Sequence, residues 1–267
     1  MVTHARMRSE KEVRGTLKPK QRRSQILEAV GQQGEVSVEV LAQRFDVSVE
    51  TIRRDLGQLA ESGVLQKIHG GARRLRLHAE GSFDERMAEN AEAKQVIAKK
   101  LAAIVEPGDT IFIDTGSTTL ICAQALAAID RLTVITNSVR VAQVLGKSEK
   151  NVTVYLLGGT FSHDNAETVG PLVIDQIARF QVDHAVLTVA AINADVGAMD
   201  SDFDEAQVAR AMIDHANHTI VLANVEKLGR NAAYRVCQLD EINTIVCDQS
   251  PGAEFTAALH RAKVELR

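Results

Sequence analysis

A chain of 267 residues is long enough for one small domain attached to a larger one. Its composition, 45% hydrophobic and 25% charged with a net charge of −4, is that of a globular protein. No apolar stretch reaches the length of a membrane span, and the basic start lacks the apolar core of a secretory signal. We therefore expect a cytoplasmic protein with no membrane partner.

Charge and cysteine placement narrow the function further. Residues 1–78 carry 15 Lys and Arg against 9 Asp and Glu, a net of +6, while the remainder carries 16 against 26, a net of −10. A basic first domain on an acidic remainder favours a polyanion as its partner. Cys122, Cys237 and Cys247 form no CxxC pair and lie in apolar stretches, which predicts buried thiols.

The N-terminal elements begin after a polar stretch, residues 1–18, that we interpret as a disordered basic arm. From Pro19 and Lys20, apolar residues recur at helical spacing until Gly31 and Gly34. A short second helix is predicted after Ser37, whose hydroxyl is a suitable N-cap.

A third helix and a basic hairpin complete this domain. Asp46-Val47 predicts a tight turn, and Ser48 then caps a helix that ends at Gly63. Residues 64–68 alternate like a strand, and Gly70-Gly71 turns the chain into a second strand; we call this hairpin the wing. The order of these elements predicts a winged helix-turn-helix over residues 19–76.

Side chains that suit DNA lie on the outer face of the third helix and on the wing. Arginine pairs with the guanine edge in the major groove, and basic wing residues hold phosphates. A solvated basic face is the alternative for any single arginine pair, but the capped turn, buried stripe and basic hairpin together favour DNA. The candidate DNA-binding residues are Arg22, Arg23, Ser48, Thr51, Arg53, Arg54, Gln58, Lys67, His69, Arg73 and Arg74.

The C-terminal part shows alternating strands and helices. Residues 77–92 are polar and are interpreted as a linker, and a helix is predicted from Ala93 to Val105. The predicted strands are Thr110–Asp114, Leu132–Thr136, Val152–Leu157, His184–Val189, Thr219–Ala223 and Thr244–Cys247, with helices such as Thr118–Ala128 and Glu205–Ala216 between them. Such alternation predicts an α/β domain over residues 93–267, built on a mostly parallel sheet covered on both faces.

Three polar or glycine turns follow successive predicted strands. Free amides and hydroxyls at a helix start form a cradle for phosphate, and strand ends of this kind open onto one crevice. Each turn by itself is more often local structure, but together they favour an anion site. The candidate residues are Asp114, Gly116, Ser117, Thr118, Thr119, Thr136, Asn137, Ser138, Gly158 and Gly159.

The N-terminal motifs resemble the DeoR family of bacterial repressors. The matching stretches are Arg23-x-x-Ile26, Gly34-x-Val36-x-Val38-x-x-Leu41, Val47-Ser48-x-x-Thr51-Ile52-Arg53-Arg54-Asp55-Leu56 and Gly63-x-Leu65-x-Lys67-x-His69-Gly70-Gly71-Ala72. The family usually has arginine where this chain has Lys67, which keeps the charge. The resemblance implies a repressor of a sugar or polyol operon.

Residues from about Glu80 to Asp248 resemble the sugar-phosphate sensor domain of the same family, which is related in fold to ribose-5-phosphate isomerase. The matching stretches are Asp114-x-Gly116-Ser117-Thr118-Thr119, Thr136-Asn137-Ser138, Gly158-Gly159, Glu205-Ala206-x-Val208-x-Arg210-Ala211-Met212 and Lys227-x-Gly229-Arg230. The resemblance implies that Lys227 offers a charge to a phosphate, that Asp114, Asn137 and Glu205 face ligand hydroxyls, and that Arg230 belongs to the same site. For the two basic residues, a solvated loop is the alternative. Asn224 departs from the aspartate that the family usually carries before the lysine.

An enzyme is the first alternative, namely a sugar-phosphate isomerase with a DNA-binding domain. Isomerisation needs a carboxylate base over the acidic carbon, and active relatives place paired acids after the central strand. Here that stretch holds Asn193 and a single Asp195, which argues against catalysis.

A redox or nucleotide sensor is the second alternative. No GxGxxG follows any predicted strand, and no cluster of carboxylates or cysteines accompanies His215 and His218. The sequence therefore predicts a non-enzymatic regulator without cofactor or metal. Its expected partners are double-stranded operator DNA, a phosphorylated sugar or polyol effector, and further copies of itself in a homodimer or homotetramer.

Overall fold

The computed structural model describes residues 19–61, 65–74 and 81–267. The segment 1–18, predicted as a basic arm, lies outside the described residues, as do Gly63 and Val64 at the predicted helix–wing junction. Two units make up the chain, residues 1–76 and residues 77–267. We call them the head and the body.

Three helices and a small antiparallel sheet form the head. The helices are α1 (Pro19–Gln33), α2 (Val38–Phe45) and α3 (Val49–Glu61), and the strands are β1 (Glu35–Ser37), β2 (Leu65–Ile68) and β3 (Gly71–Arg74), in the order β1-β3-β2. The strand β1 was not predicted, because three residues are too few to show a period. It pairs with β3 so closely that a Cβ on Gly71 would collide with the carbonyl oxygen of Val36.

Local hydrogen bonds set the helix boundaries of the head. The Ser37 hydroxyl accepts from the Val40 amide at 3.1 Å, and the Ser48 hydroxyl accepts from the Thr51 amide at 3.1 Å. Asp46 ends α2 in the left-handed conformation, at φ 51°. Both predicted caps and the predicted turn are confirmed. Because Ile52 and Leu56 are fully buried, α3 presents its polar face outward.

A seven-stranded parallel sheet forms the centre of the body. Its strands are β4 (Thr110–Ile113), β5 (Thr133–Thr136), β6 (Thr153–Leu156), β9 (Val182–Thr188), β12 (Ala216–Leu222), β14 (Thr244–Val246) and β15 (Glu265–Leu266), in the order β15-β14-β12-β9-β4-β5-β6. All six predicted strands are present, so the predicted α/β class is confirmed. The strand β15 is only two residues long and shows no pattern.

Helices cover the sheet on both faces and bury two hydrophobic cores. The helices are α4 (Phe83–Ala88), α5 (Ala91–Ala102), α6 (Ser117–Leu126), α7 (Val139–Leu145), α8 (Pro171–Ile177), α9 (Phe203–Asp214) and α10 (Ala253–Ala262). The remaining elements are strands β7 (Thr160–Ser162), β8 (Glu167–Val169), β10 (Ala191–Asn193), β11 (Gly197–Asp200) and β13 (Tyr234–Cys237), and two 3-10 turns, Val225–Lys227 and Leu239–Glu241. The three cysteines are buried, as predicted.

Part of the segment predicted as a linker, 77–92, is folded. The helix α4 lies within it, capped by Ser82, which forms a reciprocal capping box with Glu85. Phe83 is buried, at 5% exposure, and anchors the helix. One buried phenylalanine in a polar stretch gives no helical period, which is why the linker interpretation failed here. Among the residues described, no helix is long and apolar enough to span a membrane.

Candidate functional site

The outer face of α3 carries the candidate base-reading side chains of the head. Arg53, Arg54 and Gln58 are exposed, and Thr51 is half-buried. The Thr51 hydroxyl lies 2.9 Å from that of the capping Ser48, so the cap holds it at the start of the helix. These positions agree with the arrangement predicted from the sequence.

Arg22 does not lie where the sequence suggested. Its guanidinium is buried and its Nε lies 2.6 Å from Asp55 Oδ2, with side-chain exposures of 8% and 6%. This ion pair joins α1 to α3, and a duplex could be reached only by breaking it. We therefore assign Arg22 to the stability of the head rather than to DNA contact. The neighbouring Arg23 donates to the Gln58 amide oxygen and stays half-buried on the surface.

The wing contributes exposed basic groups. Lys67 and His69 are exposed at the end of β2 and in the turn that follows it. Arg73 is half-buried and stands opposite Glu35 in the antiparallel register. The side chain of Arg74 lies outside the described part of the chain.

The body brings its polar turns together at the carboxyl ends of β4, β5 and β9. Asp114 follows β4 and is buried, and its Oδ2 accepts from the Thr188 amide at 2.8 Å. Asp114 Oδ1 and Thr115 Oγ1 are buried with no hydrogen-bond partner among the described residues. Buried polar atoms normally have partners, so two such atoms at one turn point to a ligand or to water.

The turn after β4 leads directly into the N-terminus of α6. Gly116 has φ 143°, a conformation that glycine tolerates, and a Cβ there would lie 2.7 Å from Thr188 Oγ1. Ser117, Thr118 and Thr119 form the first turn of the helix, and all three are buried. A helix N-terminus with free amides and hydroxyls attracts anions.

Some polar groups of the turn after β5 are hydrogen-bonded within the protein. The Ser138 hydroxyl caps α7 at Val141, and Thr136 Oγ1 accepts from the Ser138 amide at 3.0 Å. The Asn137 amide nitrogen donates to Glu167 Oε2 at 3.1 Å. Asn137 Oδ1 is buried and has no partner within the described ranges. Asn137 Oδ1 is therefore an acceptor that this turn can offer to a ligand.

The two glycines after β6 have a structural explanation. Gly158 donates to and accepts from the side chain of Gln176, at 3.1 and 2.7 Å. A Cβ on Gly159 would lie 2.5 Å from Val173 Cγ2, so only glycine allows α8 to approach there. Their place in a ligand site stays a prediction.

Two acids, Glu167 and Glu205, lie together at the same edge of the sheet. Nothing in the sequence indicated that they would be neighbours. Glu205, at the start of α9, lies close enough to Glu167 of β8 for the two carboxyls to share a hydrogen bond when Glu205 is protonated. The Asn165 amide nitrogen donates to both of them, to Glu205 Oε1 at 2.7 Å and to Glu167 Oε1 at 3.1 Å. We call the carboxyl groups of Asp114, Glu167, Asp200 and Glu205 the acid cluster.

Burial and mutual repulsion raise the pKa values of Asp114, Glu167 and Glu205 and so favour their protonated forms. Burial raises the pKa of Asp114 well above its ordinary value, and Asp200, Glu205 and Glu167 raise it further against the opposing Thr188 amide. Burial raises the pKa of Glu205 to about 9, and the charge of Glu167 adds to the increase. Burial likewise raises the pKa of Glu167 to about 7. Protonated carboxyls both donate and accept, which suits a polyhydroxylated ligand.

The acid cluster makes stability depend on pH. Because the folded protein holds protons that the unfolded chain releases above pH 4.5, the free energy of unfolding falls as pH rises from there to about 9. Glu205→Gln keeps an oxygen for Asn165 and a donor for Glu167. We expect it to stabilise the body by about 1–3 kcal/mol at pH 8, and by less at pH 5.

Urea unfolding of wild type and Glu205→Gln at pH 5, 7 and 9 measures this difference. The exposed Glu149→Gln is the matched control and should leave the slope with pH unchanged. An identical pH slope for Glu205→Gln and wild type would contradict the assignment.

Residues after β9 and β12 complete this edge. Lys227 Nζ donates to the Val189 carbonyl at 2.6 Å, directly beyond the strand that carries Thr188. Asn224 Oδ1 is buried without a partner among the residues described. Arg230 is exposed, as a solvated loop residue would be. Asn193 Oδ1 accepts from the amides of Asp195 and Val196, so Asn193 shapes a turn.

Sequence reasoning missed Glu167, Asn165, Asp200 and the arginine that contacts Asn165, Arg86. No local motif marks them, because Arg86 and Asn165 are 79 positions apart and Glu205 is 40 positions further on. Within the described ranges, no group of three or more potential metal ligands is close enough to hold an ion.

Solved structures with a similar chain path include ribose 5-phosphate isomerase A from Methanocaldococcus jannaschii. It is 18% identical, with 52% of this chain and 55% of that chain covered, at a TM-score of 0.40.

Sequence comparison identifies both units. Residues 22–76 match the DeoR-like helix-turn-helix domain, and residues 89–249 match the DeoR C terminal sensor domain. The transcriptional repressor CsqR of Escherichia coli is 32% identical, with 92% of this chain and 94% of the relative covered. The Glycerol-3-phosphate regulon repressor of Escherichia coli is also 32% identical (94% and 100% covered), and the repressor GlcR of Bacillus subtilis is 33% identical (90% and 93%). With a helix-turn-helix head and a sensor body matched over most of its length, the chain belongs to the DeoR family of transcriptional repressors.

Proposed function

We propose that this repressor controls a sugar or polyol operon and releases its operator when a phosphorylated sugar or polyol binds the body. The observation that carries the proposal is a set of buried acceptors without partners among the described residues, which follow β4, β5 and β12 at the carboxyl-end edge of the sheet: Asp114 Oδ1, Asn137 Oδ1 and Asn224 Oδ1. Ligand hydroxyls would donate to these oxygens, and a phosphate would accept from the start of α6.

The acid cluster orients such a ligand. The phosphate end would lie at the start of α6 and near Lys227, where backbone amides and an ammonium group can donate, rather than beside Glu167 and Glu205. The hydroxyl end would face the carboxyls. One relative named above is the repressor of a glycerol-3-phosphate regulon, and another is the repressor GlcR. Both support a small phosphorylated polyol or sugar as the effector.

The test measures how tightly the chain binds the DNA duplex upstream of its own gene in the presence of each compound of a panel. The panel is glycerol 3-phosphate, glucose 6-phosphate, fructose 6-phosphate and ribose 5-phosphate, each beside its unphosphorylated parent. We expect one phosphorylated member to weaken DNA binding by about 5- to 150-fold, and its parent to have no effect. No change with any member would refute the proposed effector class.

On the DNA side, we propose that α3 enters the major groove and that Lys67 and His69 on the wing hold phosphates. Arg54→Ala should weaken operator binding by about 1–3 kcal/mol if the guanidinium reads a base, and random duplex should be affected less. Fluorescence anisotropy with both duplexes at several salt concentrations separates the two effects. The control is Arg261→Ala, an exposed arginine of the body. Unchanged operator affinity in Arg54→Ala would mean that α3 docks differently.

We further propose that the repressor works as a homodimer or homotetramer. Four large apolar side chains are exposed on elements from the edge strand β6 to α8, namely Tyr155, Leu156, Phe161 and Leu172. Exposed apolar side chains on an edge strand favour association with another chain. Analytical ultracentrifugation gives the state directly.

Catalysis is the alternative function, since the protonatable pair Glu167 and Glu205 lies where a sugar would bind. We propose binding without turnover, because membership in a repressor family requires only that the ligand bind and leave unchanged. Incubation with ribose 5-phosphate and glucose 6-phosphate, followed by NMR of the sugar, tests this. Isomerised product that disappears with Glu205→Gln would establish an enzyme.

A further inference from the structure

The helix α4 is attached to the turn of the body that also contacts the acid cluster. It is the first described element of the body in chain order. Its Phe83 amide donates to Asp164 Oδ1 at 3.3 Å, and Arg140 stacks on the Phe83 ring at 3.6 Å. The helix is therefore held against the turn between β7 and β8, where Asp164 and Asn165 lie.

Arg86 makes this attachment specific. Its Nε donates to the Gly81 carbonyl at 3.0 Å, at the start of the described body, and its Nη2 donates to Asn165 Oδ1. A weaker ion pair links Arg86 to Asp164 at 3.6 Å. One planar group thus ties Gly81, the first described residue of the body, to the β7–β8 turn.

Asn165 joins this attachment to the acid cluster. Its carbonyl oxygen accepts from Arg86, while its amide nitrogen donates to both Glu205 and Glu167. Glu167 in turn accepts from Asn137, the residue with an unpartnered oxygen at the ligand edge. The side-chain amide of Asn165 is buried, and both its oxygen and its nitrogen are hydrogen-bonded. A change at the carboxyl of Glu167 or Glu205 must therefore alter the orientation of Asn165 or its bond to Arg86.

We propose that Arg86 and Asn165 are positioning residues that transmit effector binding from the acid cluster to α4 and so to the head. The proposal rests on the proposed effector function. When a ligand hydroxyl engages Glu167 or Glu205, the carboxyls change partners, Asn165 follows, and Arg86 releases or shifts the start of the body. Two structural states with different ligand affinity are what such coupling requires.

Arg86→Gln separates ligand binding from its transmission. Two quantities are measured on the full chain, the affinity for glycerol 3-phosphate and the other panel phosphates by calorimetry, and the ratio of promoter affinities without and with each phosphate. We expect the calorimetric affinity to stay within about threefold of wild type, while a wild-type ratio of about 5- to 150-fold falls to near one. A merely structural role would change the affinity or the fold and would not remove the ratio alone.

The matched control is Arg131→Gln, an exposed arginine elsewhere in the body, which should keep the wild-type ratio. If wild type responds and Arg86→Gln responds equally, the transmission proposal is overturned and the effector function stands. If wild type binds none of the phosphates, both proposals fail together.

A second measurement needs no DNA and remains informative if Arg86→Gln is less stable. The chain contains no tryptophan, so Met87→Trp, half-buried on α4, introduces a single emission probe. We expect the panel phosphate that binds to shift the emission of Met87→Trp and to leave the emission unchanged when Asn165→Ala is added. Calorimetric binding to Met87→Trp without any emission shift would overturn the proposal.

Discussion

Asp55→Ala is expected to destabilise the head by about 3–5 kcal/mol, because it leaves the Arg22 guanidinium buried without its carboxylate. The pair joins α1 to α3 across 33 positions of sequence, so its loss loosens the helix that carries the candidate base-reading residues. Promoter binding should fall with the folded fraction. Hydrogen exchange of the α1 and α3 amides in the full chain, beside urea unfolding, measures the loss.

Glu50→Ala provides the control on the same helix. Its pair with Arg53 is 3.6 Å long, with side-chain exposures of 75% and 55%, so its removal should change stability by no more than about 0.5 kcal/mol. Equal exchange rates in Asp55→Ala and Glu50→Ala would show that the buried pair contributes little. Arg22 would then return to the set of candidate DNA contacts.

Asp114→Asn is expected to act in opposite directions on stability and on effector binding. The asparagine oxygen can keep the bond to the Thr188 amide, and the substitution removes an acid whose pKa is raised by burial and by three neighbouring acids. The body should become more stable at pH 8 and gain less at pH 5, since the raised pKa costs stability only above the ordinary value.

Effector affinity should fall by about 10-fold or more in the same variant, because the amide nitrogen replaces the unpartnered oxygen and cannot accept from a ligand hydroxyl. Calorimetry with the active panel phosphate, together with urea unfolding, measures both effects. Asp109→Asn, at the opposite edge of the sheet beside His184, is the control and should leave effector affinity unchanged. A variant with full effector affinity would exclude Asp114 from the ligand site.

The head was predictable from sequence to a large extent because its signals are local. Ser37 and Ser48 cap the amides of residues three positions away, and Asp46 ends a helix through its own backbone conformation. Apolar spacing placed Ile52 and Leu56 inside. The strand β1 escaped prediction because its existence depends on pairing with β3, more than 30 residues later.

The body was predictable at the level of its sheet. The strands of a covered parallel sheet are continuous apolar or β-branched runs, so all six longer strands were visible, including the largely exposed edge strand β6. The adjacency of β4, β5 and β6 brings the predicted turns to one edge. The small strands and α4 were not visible, since polar or short segments acquire their structure from contacts with distant residues such as Asp164.

The sequence by itself determined the two-part organisation, the helix caps, the buried strands and the family. Each of these depends on adjacent residues or on fixed spacings along the chain. Tertiary structure alone decided which charged groups are buried and paired: Arg22 with Asp55, Glu167 with Glu205, and Arg86 with Asn165. The physical reason is that desolvation and charge pairing depend on the surroundings in space. Those surroundings are supplied by elements that lie far apart along the chain.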